Sequence, residues 1–160
     1  MRPKPLLVSS AAVTTAAAVG GLATTTGTSW FKGLDRPPWQ PPDSVFGPVW
    51  TALYAATAVS AAVAWDAQSP HWDRKSRRRN LAAAYGLNLT LNAAWSVLFF
   101  RQHRLVLATL DSAALCASTV ALAATTRRSS PLAAALLVPY AAWTGFATVL
   151  SAEITRRNRG

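Results

Sequence analysis

The chain alternates long apolar blocks with short charged segments. Five blocks contain at most one charged residue: positions 5–31, 44–65, 80–100, 105–126 and 129–152. Each block reaches or exceeds the roughly 20 residues that an α-helix needs to cross about 30 Å of hydrocarbon. The pattern therefore predicts an all-α fold, a five-transmembrane-helix bundle. The predicted spans are residues 5–28, 44–66, 80–101, 105–126 and 131–154.

Little of the 160-residue chain is left for the polar helix faces that a soluble bundle requires. We therefore expect residues 1–160 to form a single integral membrane domain. A soluble bundle stays open as the alternative, because weakly apolar Ala, Thr and Ser dominate the first and fourth blocks. A cleaved signal peptide is the alternative for the first block, but such peptides have apolar centres of only about 7–15 residues.

The loop between the first two spans, residues 30–43, is unusually rigid. Prolines at positions 37, 38, 41 and 42 hold φ near one value and push the preceding residues towards extended geometry. Trp30, Phe31 and Trp39 make the same loop amphipathic. It is interpreted either as an anchor at the membrane interface, where Trp is enriched, or as a lid over a cavity. Asp43 or Ser44 is predicted to cap the second span.

Aromatic and amide side chains recur within three of the predicted spans at spacings of three and four, which place them on one helix face. The stripes comprise Phe46, Trp50, Tyr54 and Thr57; Tyr85, Asn88, Asn92, Trp95 and Phe99; and Tyr140, Trp143 and Ala147. Amides are costly in hydrocarbon unless they are paired. Asn88 and Asn92 are therefore expected to face the bundle interior, where they bond either another helix or a ligand.

Facing stripes of this kind suit a pocket for a large, flat, apolar ligand with a few polar substituents. Ordinary aromatic packing between helices is the alternative. The candidate ligand-binding residues combine the stripes with one residue of the rigid loop. They are Trp39, Phe46, Trp50, Tyr54, Asn88, Asn92, Trp95, Tyr140, Trp143 and Ala147.

The net charge of +10 comes from Lys and Arg residues at the ends of the apolar blocks. Anionic lipid headgroups are the simplest partners for such residues, so we expect a lipid membrane and no nucleic acid. The densest basic cluster, residues 74–79, falls in a predicted polar and mobile loop at 69–79. Basic residues divide nine against seven between the two sides of the membrane, which leaves the orientation open.

Patterns for cofactor and metal chemistry are missing from the sequence. It has no Gly-rich nucleotide loop and no metal-ligand spacing, and both His71 and His103 lie in predicted loops. We therefore predict no cofactor, no metal and no His ligand for haem iron. Asp111 stands inside the fourth span, and we expect it to bond a neighbouring helix end, such as Arg104, rather than to transport protons.

At these positions the sequence resembles the translocator protein family, TspO/MBR, also called peripheral-type benzodiazepine receptors. The stretch RPPWQPPDSVFGPVWTALY resembles the first loop and second span of that family. LNLTLNAAWSVLFF resembles its third span, and SPLAAALLVPYAAWTGFATVL its fifth. The resemblance is nearly collinear from about residue 30 to residue 150. It implies five helices around a pocket that opens towards the first loop and is covered by it.

The resemblance implies porphyrin binding and, as in some members, binding of sterols and isoquinoline or benzodiazepine drugs; many members form homodimers. Some bacterial members promote light-dependent breakdown of protoporphyrin, and Trp50 and Trp143 match the tryptophans implicated. Ala147 matches a small pocket residue, and Asn92 matches an Asn of the third span. Asn88 stands where many members have Gln. The C-terminal VLSAEITRR lacks the Tyr of the family's sterol-recognition segment, so sterol binding through it is not expected.

We therefore expect a membrane translocator or sensor that binds tetrapyrroles such as protoporphyrin or haem, as a homodimer. The Ala- and Arg-rich composition is typical of a high-GC bacterium, which indicates a bacterial cell membrane. Two alternatives stay open. One is a light-dependent porphyrin-degrading enzyme with Trp50 or Trp143 as the oxidisable group. The other is a structural or regulatory membrane protein whose aromatic residues only pack.

Overall fold

The computed structural model describes residues 3–68 and 73–159. Within those ranges all regular structure is helical, which confirms the predicted all-α class. The helices are α1 Pro3–Lys32, α2 Asp43–Asp66, α3 Arg74–Ser96, α4 Leu105–Arg127 and α5 Pro131–Arg157. α3 runs directly into a short π-helix at Val97–Arg101, called the π segment below. His71 lies outside the described residues.

The first loop is shorter than the sequence predicts, because α1 extends to Lys32. Trp30 and Phe31 consequently belong to the last turn of α1, and the loop comprises residues 33–42 instead of 30–43. The Trp30 ring stacks on the His103 ring with their centroids 4.1 Å apart. This contact joins the end of α1 to the connection before α4, where His103 has a left-handed backbone with φ of 56°.

The second loop is also shorter, because α3 begins at Arg74. The basic cluster at 74–79 is therefore helical, although the sequence predicts a mobile loop there. The Arg77 guanidinium pairs with the Asp73 carboxylate at 2.5 Å, four residues earlier. Ion pairs at this spacing stabilise a helix modestly, which favours a helical start despite the density of positive charge.

The start of α2 is not capped by either predicted residue. In the described chain the cap position is Pro42, and no side chain bonds the first free backbone amides. The Asp43 carboxylate instead accepts hydrogen bonds from Arg36 at 3.1 Å and from Gln40 at 3.3 Å. These bonds join the rigid loop to the helix that follows it, and the negative charge still favours the helix N-terminus.

The five helices pack in a closed ring, in the order α1, α2, α5, α4, α3 and back to α1. Hydroxyl pairs join α4 to α5, where Thr109 meets Thr155 at 2.9 Å and Ser112 meets Thr148 at 3.0 Å. These two pairs join neighbouring helices through hydroxyl groups, as expected inside a membrane. Asp111 forms no ion pair with Arg104 in the described chain, contrary to the sequence expectation, and its Oδ2 is buried without a hydrogen bond.

Glycines bring α1 close to α3. A Cβ added at Gly27 would lie 2.3 Å from the carbonyl oxygen of Phe100 in the π segment, and one at Gly20 would lie 3.1 Å from Ser96 Oγ. Small residues at such positions let helix backbones approach where larger side chains would hold them apart. This close approach of α1 to α3 and the π segment makes α1 one wall of the cavity described below.

Large apolar side chains cover the outside of the ring. Those more than half exposed include Leu7, Val8, Leu22, Leu87, Leu110, Leu132, Val138 and Val149. Of the described helices, four are long and apolar enough to cross a membrane: Pro3–Lys32, Asp43–Asp66, Leu105–Arg127 and Pro131–Arg157. Because this apolar exterior suits lipid and not water, the chain is a multi-pass membrane protein.

Candidate ligand-binding cavity

A cavity of about 520 Å³ lies between α1, α2, α3 and α5, in the half of the bundle nearer the first loop. Ligand pockets commonly have volumes of about 300–1,000 Å³. Seven of the ten predicted ligand-binding residues line it. They are Phe46, Trp50, Tyr54, Asn92, Trp95, Trp143 and Ala147. The cavity therefore brings together most of the stripes that the helical spacing identified.

Aromatic rings from α2 and α5 form one wall. Phe46 meets Trp143 edge to face, with centroids 5.7 Å apart, and Trp50 lies beside Tyr54 at 5.5 Å. On α3, the Trp95 ring stacks on Phe99 at 5.1 Å. Offset and edge-to-face contacts stabilise aromatic pairs beyond the area that they bury. The rings thus support one another while their remaining surfaces line the cavity.

A chain of hydrogen bonds crosses the cavity floor and joins three helices. The Tyr54 hydroxyl of α2 donates to Asn92 Oδ1 at 2.6 Å. The Asn92 amide of α3 donates in turn to the Tyr140 hydroxyl of α5 at 3.1 Å. Asn92 is only 3% exposed. The amide is therefore paired as the sequence requires, and Tyr140 lies behind the cavity wall as its bonding partner.

Two indole N–H groups at the cavity have no acceptor. Nε1 of Trp95 and Nε1 of Trp143 are both buried, and neither has a hydrogen-bond partner among the described residues. Buried Trp N–H groups usually find one, because an unpaired buried donor costs about 1–3 kcal/mol. Both tryptophans line the cavity with other parts of their rings, so an acceptor on a bound molecule would reach either buried Nε1 only after the indole turns.

Asn88 lies outside the cavity although it shares the stripe of Asn92. Its side-chain amide donates to Ser118 Oγ and Thr119 Oγ1 of α4, each at 2.8 Å, and the residue is 0% exposed. The structure therefore places this amide between α3 and α4. Of the two uses that the sequence leaves open for Asn88, the observed one is a bond to another helix.

The first loop lies beside the cavity without lining it, since the described loop residues 33–42 are absent from its walls. The loop is held on the end of α5. There the backbone of Asp35 exchanges two hydrogen bonds with the Asn158 side chain, at 2.9 and 3.0 Å. Trp39, 46% exposed, meets Phe146 edge to face at 6.1 Å, and Phe146 lies 5.3 Å from Trp143. Trp39 therefore does not line the cavity. Its ring contacts Phe146, which in turn contacts the lining residue Trp143.

Sequence reasoning missed the contribution of α1 to this site. Gly20, Gly21, Thr24 and Thr28 line the cavity, and so do Phe100 of the π segment and Ser151 of α5. These residues give no aromatic stripe in the sequence. The available signal was the spacing of Gly20 and Gly27, seven residues apart on one face, which indicates a close helix contact.

Metal-ligating side chains do not cluster in the part of the site that the structure describes. Within the described ranges, no group of three or more His, Cys, Asp or Glu side chains is placed to hold one. Asp43 lies at the rim of the cavity, where Arg36 neutralises it. The chemistry of the cavity is therefore that of aromatic faces, hydroxyl and amide groups, and unpaired indole donors.

A ring of apolar helices around an aromatic cavity defines the class of multi-pass helical membrane proteins with an internal cavity. Comparison with known sequences gives the family: a sequence model described as the TspO/MBR family matches residues 8–157. The chain belongs to the TspO/MBR family, as the sequence resemblance predicts.

Similar proteins occur in animals, bacteria and archaea. The human protein named translocator protein is 34% identical over 134 residues, which cover 84% of this chain and 78% of the human one. A Bacillus cereus protein named tryptophan-rich protein TspO is 31% identical over 123 residues, with 77% and 76% of the two chains covered. An Archaeoglobus fulgidus protein of the same name is 30% identical over 126 residues, covering 79% and 78%.

Proposed function

We propose that α3 and the π segment form a fifth membrane span and that residues 1–160 are one integral membrane domain. Residues 81–101 have a length of roughly 31 Å at 1.5 Å per residue, enough to cross the hydrocarbon. The low hydropathy of this helix comes partly from Asn88 and Asn92, which are buried and bonded within the ring. Its lipid side carries residues such as Ala83 and Leu87, which suit hydrocarbon.

We propose that the cavity binds a flat tetrapyrrole of the protoporphyrin or haem type, and that the protein acts as a membrane translocator or sensor for it. The observation that carries this proposal is the lining itself. Trp50, Trp95 and Trp143 offer ring faces for stacking, and the buried Nε1 donors of Trp95 and Trp143 have no acceptor among the described residues. A porphyrin presents an apolar face and acceptor-bearing carboxylates, which match both features.

The carboxylates would lie towards the first loop, where basic side chains are found. Arg36 is paired with Asp43 at 3.1 Å and lies over the Phe31 ring at 5.1 Å. Lys32 ends α1 on the same side and is exposed. A propionate at this rim would compete with Asp43 for Arg36, so affinity should fall as ionic strength rises.

Titration of the purified protein with protoporphyrin tests the proposal, with quenching of tryptophan fluorescence as the readout. Trp143→Ala removes a stacking face and a donor, so the Kd should rise about tenfold or more. Trp143→Phe keeps a ring and should lose less. Trp65→Phe is the matched control, because Trp65 lies at the other end of α2, outside the cavity. An unchanged Kd for Trp143→Ala would refute tetrapyrrole binding at this site.

A light-dependent porphyrin-degrading enzyme is the second candidate, because Trp50 and Trp143 both line the cavity as oxidisable indoles. Illumination of the purified complex, with porphyrin absorbance followed over time, tests it. Trp50→Phe and Trp143→Phe should slow the light-driven loss at saturating porphyrin. If they lower affinity alone and leave that rate unchanged, the enzymatic role fails.

A purely structural or regulatory role is the third possibility, and absence of any porphyrin binding would favour it. We also propose that the protein forms a homodimer, which rests on family membership. Chemical crosslinking in native membranes, compared with the mass of the detergent-solubilised protein, tests that assembly independently of the ligand.

A further inference from the structure

A second groove lies at the opposite end of the bundle from the aromatic cavity. It runs between the first half of α1, the end of α2 and the first half of α3, and has a volume of about 330 Å³. Its walls include Val8 and Ala12 of α1, Trp65 of α2, and Ala82 and Gly86 of α3. The groove is almost entirely apolar, so water does not suit it.

The groove contrasts with the other end of α1. There, an added Cβ at Gly27 or Gly20 would touch the π segment or Ser96. Among the α3 residues that line the groove, Ala82 and Gly86 are small, and a Cβ built on Gly86 meets no described atom within 4 Å. Val8 is 71% exposed on the other wall. The gap therefore opens on the side of the bundle that faces lipid.

Two positive side chains lie at one end of the groove. Lys4 lines it directly, and the Arg78 guanidinium lies over the Trp65 ring, 4.9 Å from its centroid. Nε of Arg78 is buried without a hydrogen-bond partner in the described chain. Asp73 pairs with Arg77, and Nη2 of Arg78 donates to the Trp65 carbonyl oxygen at 3.4 Å. The groove thus combines an apolar interior with the positive charges of Lys4 and Arg78 at one end.

We propose that this groove binds an anionic diacyl phospholipid, with one acyl chain between α1 and α3 and the phosphate at Lys4 and Arg78. Apolar volume accounts for the chain, and charge complementarity accounts for the headgroup. A zwitterionic lipid would fill the same groove but would place its own cation beside Lys4. The site is separate from the aromatic cavity and does not depend on the function proposed for it.

Native mass spectrometry of the full chain in detergent tests the site, with phosphatidylglycerol and phosphatidylcholine of identical acyl chains as probes. Wild type should retain more phosphatidylglycerol. Lys4→Gln and Arg78→Gln should each weaken its binding about fivefold, as expected for one cation near a lipid headgroup. Lys75→Gln is the matched control. It removes the same charge from an exposed position at the same end and should weaken binding by less than about twofold.

Gly86→Leu tests the groove itself. The added side chain points into space that the described residues leave free, so the fold should persist, and circular dichroism checks this. Retention of both lipids should fall. Equal losses for Lys75→Gln and Lys4→Gln would reduce the effect to diffuse surface attraction and overturn the proposal. Unchanged lipid retention in Gly86→Leu would also overturn it, and loss of a dimer at unchanged retention would assign the groove to a second copy of the chain.

Discussion

Replacement of Gly27 by Ala should separate α1 from the π segment and destabilise the bundle. The added Cβ would lie 2.3 Å from the carbonyl oxygen of Phe100, 2.7 Å from its Cβ and 2.8 Å from its carbonyl carbon. Even weak C–H···O contacts keep carbon and oxygen roughly 3.3–3.6 Å apart. Because two of the three atoms belong to the backbone, the conflict requires a shift of about 1 Å between helices.

The size of the effect follows from two opposing contributions. Overpacking that forces backbone shifts typically costs about 1–3 kcal/mol. Ala favours the helix over Gly by up to about 1 kcal/mol, which offsets part of that loss. Gly21→Ala supplies the control, because a Cβ at Gly21 meets no described atom within 4 Å. Both substitutions restrict the unfolded chain equally, so the difference between the two variants, about 2 kcal/mol, measures the steric conflict.

The assay is thermal or detergent-induced unfolding of the two purified variants, followed by circular dichroism. For a chain of this length, about 2 kcal/mol corresponds to a difference in Tm of roughly 4–8 °C. Gly21→Ala should match or slightly exceed wild type, and Gly27→Ala should lie below both. Equal stability of the two alanine variants would show that the close approach of α1 to the π segment is not present in the membrane protein.

Three further predictions concern hydrogen bonds between elements. Tyr54→Phe removes the donor to Asn92 and should lower the free energy of unfolding by about 0.6 kcal/mol, the average for hydrogen bonds between helices in membranes. An unchanged unfolding midpoint would contradict the hydrogen bond between Tyr54 and Asn92. Asn88→Ala breaks two bonds to α4, so a loss of about 1–2 kcal/mol should occur without a change in porphyrin Kd, which titration measures. Asn158→Ala should release the first loop. Amide hydrogen exchange in residues 33–42 should accelerate while the unfolding midpoint moves little, and unchanged exchange would show that other contacts hold the loop.

Helix content and most of the cavity lining could be read from the sequence, for a simple physical reason. A helix repeats every 3.6 residues, so Phe46, Trp50 and Tyr54 share a face in any environment. Lipid outside and polar groups inside then decide which face turns inward. The same logic places Trp95 and Trp143 towards the interior, as the structure does.

The division of roles between Asn88 and Asn92 could not be read from the sequence. The two residues are four apart and therefore nearly superimposed on the helix face. One meets the hydroxyls of α4, and the other meets two tyrosines at the cavity floor. The neighbour of each amide depends on the order of the helices around the bundle and on how far each partner helix is shifted along the bundle axis. The helical periodicity of the sequence gives neither quantity.

The role of α1 was missed because its cavity residues are small. Gly20, Gly21 and Thr24 carry no aromatic or amide group that would mark them as ligand-binding candidates. Their small size nevertheless leaves the space that the aromatic rings surround. The end of α1 was also placed too early. The predicted first loop began at residue 30, whereas neither Gly nor Pro occurs between Thr28 and Lys32 to end the helix there.

The hydrogen bonds at the cavity bear on which ligand chemistry the protein can select. Both ends of the Asn92 side-chain amide are already hydrogen-bonded, since its oxygen accepts from Tyr54 and its NH₂ group donates to Tyr140. A ligand that bonds Asn92 must replace an existing bond, so the net gain is small. Nε1 of Trp143 has no hydrogen bond to the described residues and so none to lose. If the indole turns this buried group towards the cavity, an acceptor on the ligand relieves the unpaired donor, whereas a ligand whose only polar group is a donor leaves it unpaired. The cavity should therefore favour flat molecules with carbonyl or carboxylate oxygens over apolar molecules without acceptors.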